Sequence, residues 1–107
     1  MSKVFQVIIA ESAVTDLEEI REYYLEQQVP EVGDRFVREI IALIEDLPSH
    51  PDRGRVVPEF NQSRLRELIH PPYRIVYRRD PQSISIVRVW RSERLMRLPQ
   101  SDKSPSF

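Results

Sequence analysis

Residues 66–94 read RELIHPPYRIVYRRDPQSISIVRVWRSER, and the patterning of this stretch decides the fold. Tyr73, Ile75 and Tyr77 alternate with Arg74, Val76 and Arg78, the period of two expected of a strand with one face on a core. Ser83 to Trp90, rich in Ile and Val, follows the turn signal Asp80-Pro81-Gln82-Ser83, so the two runs are predicted to pair as an antiparallel hairpin. Leu65 to His70 is predicted as a third strand. It turns into the next at Pro71-Pro72, where neither residue can donate to a ladder. The resulting meander carries Arg64, Arg66, Arg74, Arg78, Arg79, Arg88, Arg91 and Arg94.

Working outward toward the N-terminus, Val4 to Ala10 has β-branched residues at Val4, Val7, Ile8 and Ile9 and is predicted as a first strand in a covered position inside the sheet. Ser12 is the expected N-cap of a helix whose Ala13, Leu17, Ile20 and Tyr24 form an apolar stripe ending near Gln27 or Gln28. Pro30 opens a second helix, in which Phe36, Val37, Ile40, Ile41, Ile44 and Leu47 share a face, and Pro48 stops it. Two amphipathic helices joined by about four residues form an antiparallel hairpin whose apolar stripe needs a sheet to cover. The predicted fold is therefore α+β: an N-terminal strand and a helical hairpin packed on a mainly antiparallel sheet of about four strands. Phe36, Ile40, Ile44, Leu17, Ile75 and Val87 are expected between the layers. Gly54, in the loop PSHPDRGRVVPEFN, is expected at a turn with positive φ.

A chain of 107 residues fits one domain, burying roughly 65% of its unfolded surface. We assign residues 1–98 to that domain and 99–107 to a flexible tail. The net charge of -1 hides a segregation: residues 11–46 hold eleven Asp or Glu against three Arg, and residues 53–97 hold eleven Arg against four Asp or Glu. A basic half of this kind can meet phosphates or an acidic protein surface despite the neutral sum. The chain has no cysteine, which rules out disulfides and thiolate metal sites and suits a reducing cytoplasm. Its apolar runs are too short to span a bilayer, so a soluble protein is expected.

His50 and His70 are the only histidines, not at ligand spacing, so no metal is expected; nor is there a phosphate loop, and no cofactor is implied. What remains is arginine with acids nearby. Arginine is a permanent cation with a planar fork of donors, suited to holding phosphate or carboxylate and poor as a general base. If RNA were cut through its own 2′-hydroxyl, Glu59, Glu67 and His70 are the candidate proton acceptors. The structural alternatives are an ion pair of Glu59 with Arg55 or Arg53 and a turn-edge imidazole for His70. Trp90 could stack a base or anchor a strand end.

The order of elements, with AVTDLEEI (13–20), PDRGRVVPEF (51–60), RELIHPPYRIVYR (66–78) and IVRVWRSER (86–94), resembles the RelE/ParE superfamily of toxins from bacterial type II toxin–antitoxin systems, over about residues 4–94. The resemblance implies a cytoplasmic toxin in a plasmid-stabilisation system, silenced by an antitoxin encoded beside it in a toxin–antitoxin hetero-oligomer. Its nuclease branch implies ribosome-dependent cleavage of messenger RNA, with Glu59 as proton acceptor, Arg74 and Arg94 holding the phosphate and Arg66 assisting. That branch also uses two lysines spaced i, i+2, where this chain has Arg64 and Arg66 or Arg66 and Leu68. It alternatively uses a late His-Tyr pair, where this chain has Trp90-Arg91, and the last tyrosine is Tyr77. These departures favour the ParE-like branch, whose members poison DNA gyrase by binding, and Arg55, Arg66, Arg74, Arg78, Trp90, Arg91 and Arg94 are then the target-binding candidates. A degenerate module that binds only its antitoxin is the third reading.

Overall fold

The computed structural model describes residues 5–92. In chain order these form β1 (Gln6–Ile9), α1 (Glu11–Glu26), α2 (Pro30–Asp46), a 3₁₀ turn at Leu47–Ser49, β2 (Arg55–Val56), β3 (Leu65–His70), β4 (Tyr73–Arg79) and β5 (Ser83–Arg91). The five strands run in the order β1-β5-β4-β3-β2, antiparallel except for β1 against β5. The helical hairpin and the meander thus form as the residue patterns require. Gln28, with φ 66°, ends α1, and the N–H of Val29 returns to the carbonyl of Tyr24, which reverses the chain for Pro30 to start α2. The Asp80–Ser83 turn closes through Asp80 N–H to Ser83 O at 2.9 Å.

Cross-strand register sorts every side chain onto one of two faces. Tyr73, Ile75 and Tyr77 of β4 share a face with Leu68 of β3 and with Ile84, Ile86 and Val89 of β5. This face packs against Ala13, Leu17 and Ile20 of α1 and Val37, Ile40 and Ile44 of α2 to make the core. Val87 has no partner in β4, because Val76 pairs with Arg88 and Tyr77 with Ile86. A one-residue bulge there re-phases β5 so that apolar side chains stay inward on both sides of it.

Four expectations change. The first strand is not covered: among the described strands β1 lies at the edge, next to β5 alone, and Ile8 and Ile9 are exposed. Among the described residues the sheet has five strands where about four were expected, since Arg55–Val56 adds a two-residue edge to β3. Ser12 is not the N-cap. Ala10 holds the extended cap conformation and its carbonyl takes the N–H groups of Ala13 and Val14, while the Ser12 hydroxyl donates to Val87 O at 2.7 Å. Gly54 has no positive φ. It is glycine because a Cβ would sit 2.7 Å from both the Glu67 carbonyl oxygen and the Tyr77 ring. Of the expected core, Leu17, Ile40, Ile44 and Ile75 are buried, and Phe36 and Val87 are half-buried. The tail lies outside the described residues.

Candidate functional site

The side of the sheet away from the helices is built from two cross-strand rows. Arg55 of β2, Glu67 of β3, Val76 of β4 and Arg88 of β5 form one, and Ile69, Arg74 and Trp90 form the next. Alternation along β4 also puts Arg78 on this side. Register therefore splits the predicted site. Arg55, Arg74, Arg78 and Trp90 share a face, whereas Arg66, opposite Tyr77, and Arg91, opposite Tyr73, lie on the helix side. Arg94 falls outside the described residues.

Arg74 is the centre of the open face, and it is 7% exposed. Its Nε donates to Glu67 at 2.6 Å, while Nη1 and Nη2 donate to the two oxygens of Glu59 at 3.1 and 3.0 Å. Glu67 is 1% exposed, and its other oxygen accepts from Arg55 Nε at 2.7 Å. A carboxylate removed from water this completely needs both cations, and each is fixed by a neighbouring strand. Burial opposes the charge on Arg74, yet the hydrogen bonds to Glu59 and Glu67 outweigh it and raise its pKa. The same bond from Arg74 holds Glu59 below the ordinary carboxylate range, against the desolvation that would raise it. The predicted alternatives for Glu59 are replaced by this pair: Arg55 is committed to Glu67, and Arg53 reaches Asp46 at 2.5 Å.

Several other arginines are also matched to acids. Arg64 and Arg78 converge on Asp80 at 2.5 and 2.9 Å, holding its carboxyl below the usual range. Arg79 donates to Asp52 at 2.8 Å, and Arg66 donates Nη1 to Gly54 O at 2.9 Å. The hydroxyl of Tyr77 accepts the Gly54 N–H at 2.9 Å and donates to Pro51 O at 2.8 Å, and burial raises its pKa. His70 meets Glu39 of α2 at 2.8 Å and stands edge-on to Phe36, which places it in the helix–sheet seam and away from Arg74.

Beyond Ile86, among the described residues, β5 has no strand on its β1 side, and α1 covers that edge. Asp16, 6% exposed, accepts the Val89 N–H at 2.8 Å and both Nε and Nη2 of Arg88 at 2.8 and 2.9 Å. Arg88 in turn lies 4.7 Å over the Trp90 ring, so one face of that indole is already occupied. A groove of about 320 Å³ runs along this edge between Asp16, Glu19, Ile20, Tyr23, Tyr73 and Trp90. The burial of Asp16 escapes a sequence reading, which sees only a helix-start acid. That of Glu67 escapes because neither face of LRELIH is cleanly apolar. Among the described residues no group of three or more His, Cys, Asp or Glu could hold a metal ion, and no helix is long and apolar enough to cross a membrane.

The sequence matches, over residues 7–96, the family model described as ParE toxin of type II toxin–antitoxin system, parDE. Among solved structures, a chain of the chromosomal ParDE toxin–antitoxin system from P. aeruginosa superposes with a TM-score of 0.71 at 23% identity, covering 84% of this chain and 98% of that one. A chain of the RelBE2 toxin–antitoxin complex from Mycobacterium tuberculosis gives 0.61 at 19% identity, covering 82% and 98%. These two likenesses show the shared fold. No curated protein matches the chain in sequence.

Proposed function

Because this chain belongs to the ParE toxin family of type II toxin–antitoxin systems, we propose that it arrests growth by binding DNA gyrase rather than by cutting RNA. One observation carries the choice between binding and cleavage. The carboxylate best placed to take a proton on the open face, Glu59, is held ionised by Arg74 with its pKa lowered, which makes it a weak base at neutral pH. Glu67 is sealed between two arginines, and His70 is on the far side. A folded display of paired charge suits recognition of a protein surface better than proton transfer. Arg55, Arg74, Arg78 and Trp90 form the proposed contact face.

The test is supercoiling and gyrase-linked DNA cleavage with purified protein. Inhibition at micromolar concentration is expected, and unaltered gyrase at that level overturns the reading. The nuclease reading keeps one point in its favour, the direct contact between Glu59 and Arg74. Codon-positioned cuts in translated messages, read by primer extension, would establish it instead. We further propose a cognate antitoxin as partner in a hetero-oligomer, a reading supported by the toxin–antitoxin complexes in which both structural neighbours occur.

A further inference from the structure

We propose that Glu59 is the displaceable internal occupant of an anion site on Arg74, and that the external ligand of this site is a carboxylate side chain of a partner protein. The two carboxylates on Arg74 are not equivalent. Glu67 is on β3, fully buried and shared with Arg55, so it cannot leave without stranding a charge. Glu59 is on the connection between β2 and β3, keeps 26% of its side chain exposed, and holds only Nη1 and Nη2 of the guanidinium, the second of which also contacts Glu67. With Glu59 rotated outward, Arg55, Glu67 and Arg74 sum to one positive charge, and the vacated fork presents two donors in the spacing of one carboxylate.

The surroundings favour a carboxylate from a protein over the backbone of a nucleic acid. A polyanion needs several uncommitted cations along its path. On this face Arg55, Arg78 and Arg88 are each already matched to an acid, so successive phosphates would face Glu67, Asp80 and Asp16. A single carboxylate exchanged for Glu59 leaves the charge balance unchanged. Its neighbours along the row are Ile69, 46% exposed, and the half-buried Trp90, which offer apolar contact on either side of the charge. The partner segment therefore carries an acid between apolar residues. This rests on the reading of the open face as a protein contact, and it is independent of which protein is bound.

The exchange is tested by titrating sodium acetate, with sodium chloride as reference, into the full chain while following the Arg74 Nε resonance by NMR. Wild type is compared with Glu59→Gln, and Glu39→Gln, which removes one charge from α2, serves as control. Glu59→Gln is expected to bind acetate roughly tenfold more tightly than wild type, and the control to behave as wild type. Equal affinity in all three proteins, or no saturable shift in Glu59→Gln, overturns the proposal. A 12-nucleotide single-stranded DNA run in parallel is expected to gain nothing from Glu59→Gln, and a gain there larger than that for acetate overturns the choice of carboxylate. Gyrase inhibition is measured on the same three proteins, so an acetate site without inhibition defeats the gyrase reading alone.

Discussion

The carboxylate of Asp16 on α1 accepts the backbone N–H of Val89 on β5 at 2.8 Å, joining residues 73 apart in sequence. The bond lies where β1 no longer covers β5, so a side chain substitutes for the missing ladder partner.

Asp16→Ala removes this acceptor and leaves both the Val89 N–H and the Arg88 guanidinium without it. We expect a loss of about 3 kcal/mol by urea denaturation, with Asp16→Asn losing less because its amide oxygen still accepts one bond. A loss for Asp16→Ala below about 0.5 kcal/mol would mean that water replaces the carboxylate at no cost.

Ile40 is fully buried between α2 and the sheet. Ile40→Ala is expected to cost about 2 to 5 kcal/mol, with the higher end applying if the surrounding side chains do not close the cavity.

Gly54→Ala tests a close approach rather than a backbone angle. The added methyl would meet the Glu67 carbonyl and the Tyr77 ring at 2.7 Å, and both are fixed by β3 and β4. A loss of about 1 to 3 kcal/mol is expected. Tyr77→Phe combined with Gly54→Ala should not restore stability, because the Glu67 carbonyl still blocks the site.

Arg74→Met strands Glu67, and we expect it to cost about 3 to 5 kcal/mol. Replacing both, Glu67→Leu with Arg74→Met, should cost less than Arg74→Met alone, and a double-mutant cycle reads the coupling directly. Additive losses would show that Arg55 alone compensates Glu67. This coupling also means that loss of toxicity in a single Arg74 variant has to be read beside its fraction folded.

The pKa of Glu59 is lower folded than unfolded, where it lies near 4.5. A depressed carboxylate contributes stability that is present above the unfolded value and is lost as pH falls through the folded one. The urea midpoint should therefore decline on acidification below about pH 4.5, and Glu59→Gln should decline less steeply over that window. Identical acid limbs would remove Glu59 from the account.

The helical hairpin and meander were legible because each rests on a local signal. The stripe from Phe36 to Leu47 has helical spacing, the alternation from Tyr73 to Arg78 has strand spacing, and prolines mark the ends of α2 and β3. What sequence could not supply was register. Arg66 and Arg74 look alike in the sequence, but opposite Tyr77 one points to the helices, and opposite Trp90 the other points away. The edge position of β1 depends on a parallel pairing with a strand more than seventy residues later, and the outer partner of Arg74 depends on where the connection over residues 57–64 places Glu59. Such long-range pairings leave no periodic trace.

Pairing β1 with β5 has a consequence for the order in which the molecule can come into being. Gln6–Ile9 is made well before its partner and must wait for residues 83–86 to be synthesised. Until then α1 also lacks the β5 groups that Ser12 and Asp16 hold. Assembly that depends on such distant contacts is slow relative to local helix formation. Between its own synthesis and that of β5, β1 is an unpaired segment followed by an acidic helical hairpin, and the open face exists only once β5 has closed the sheet.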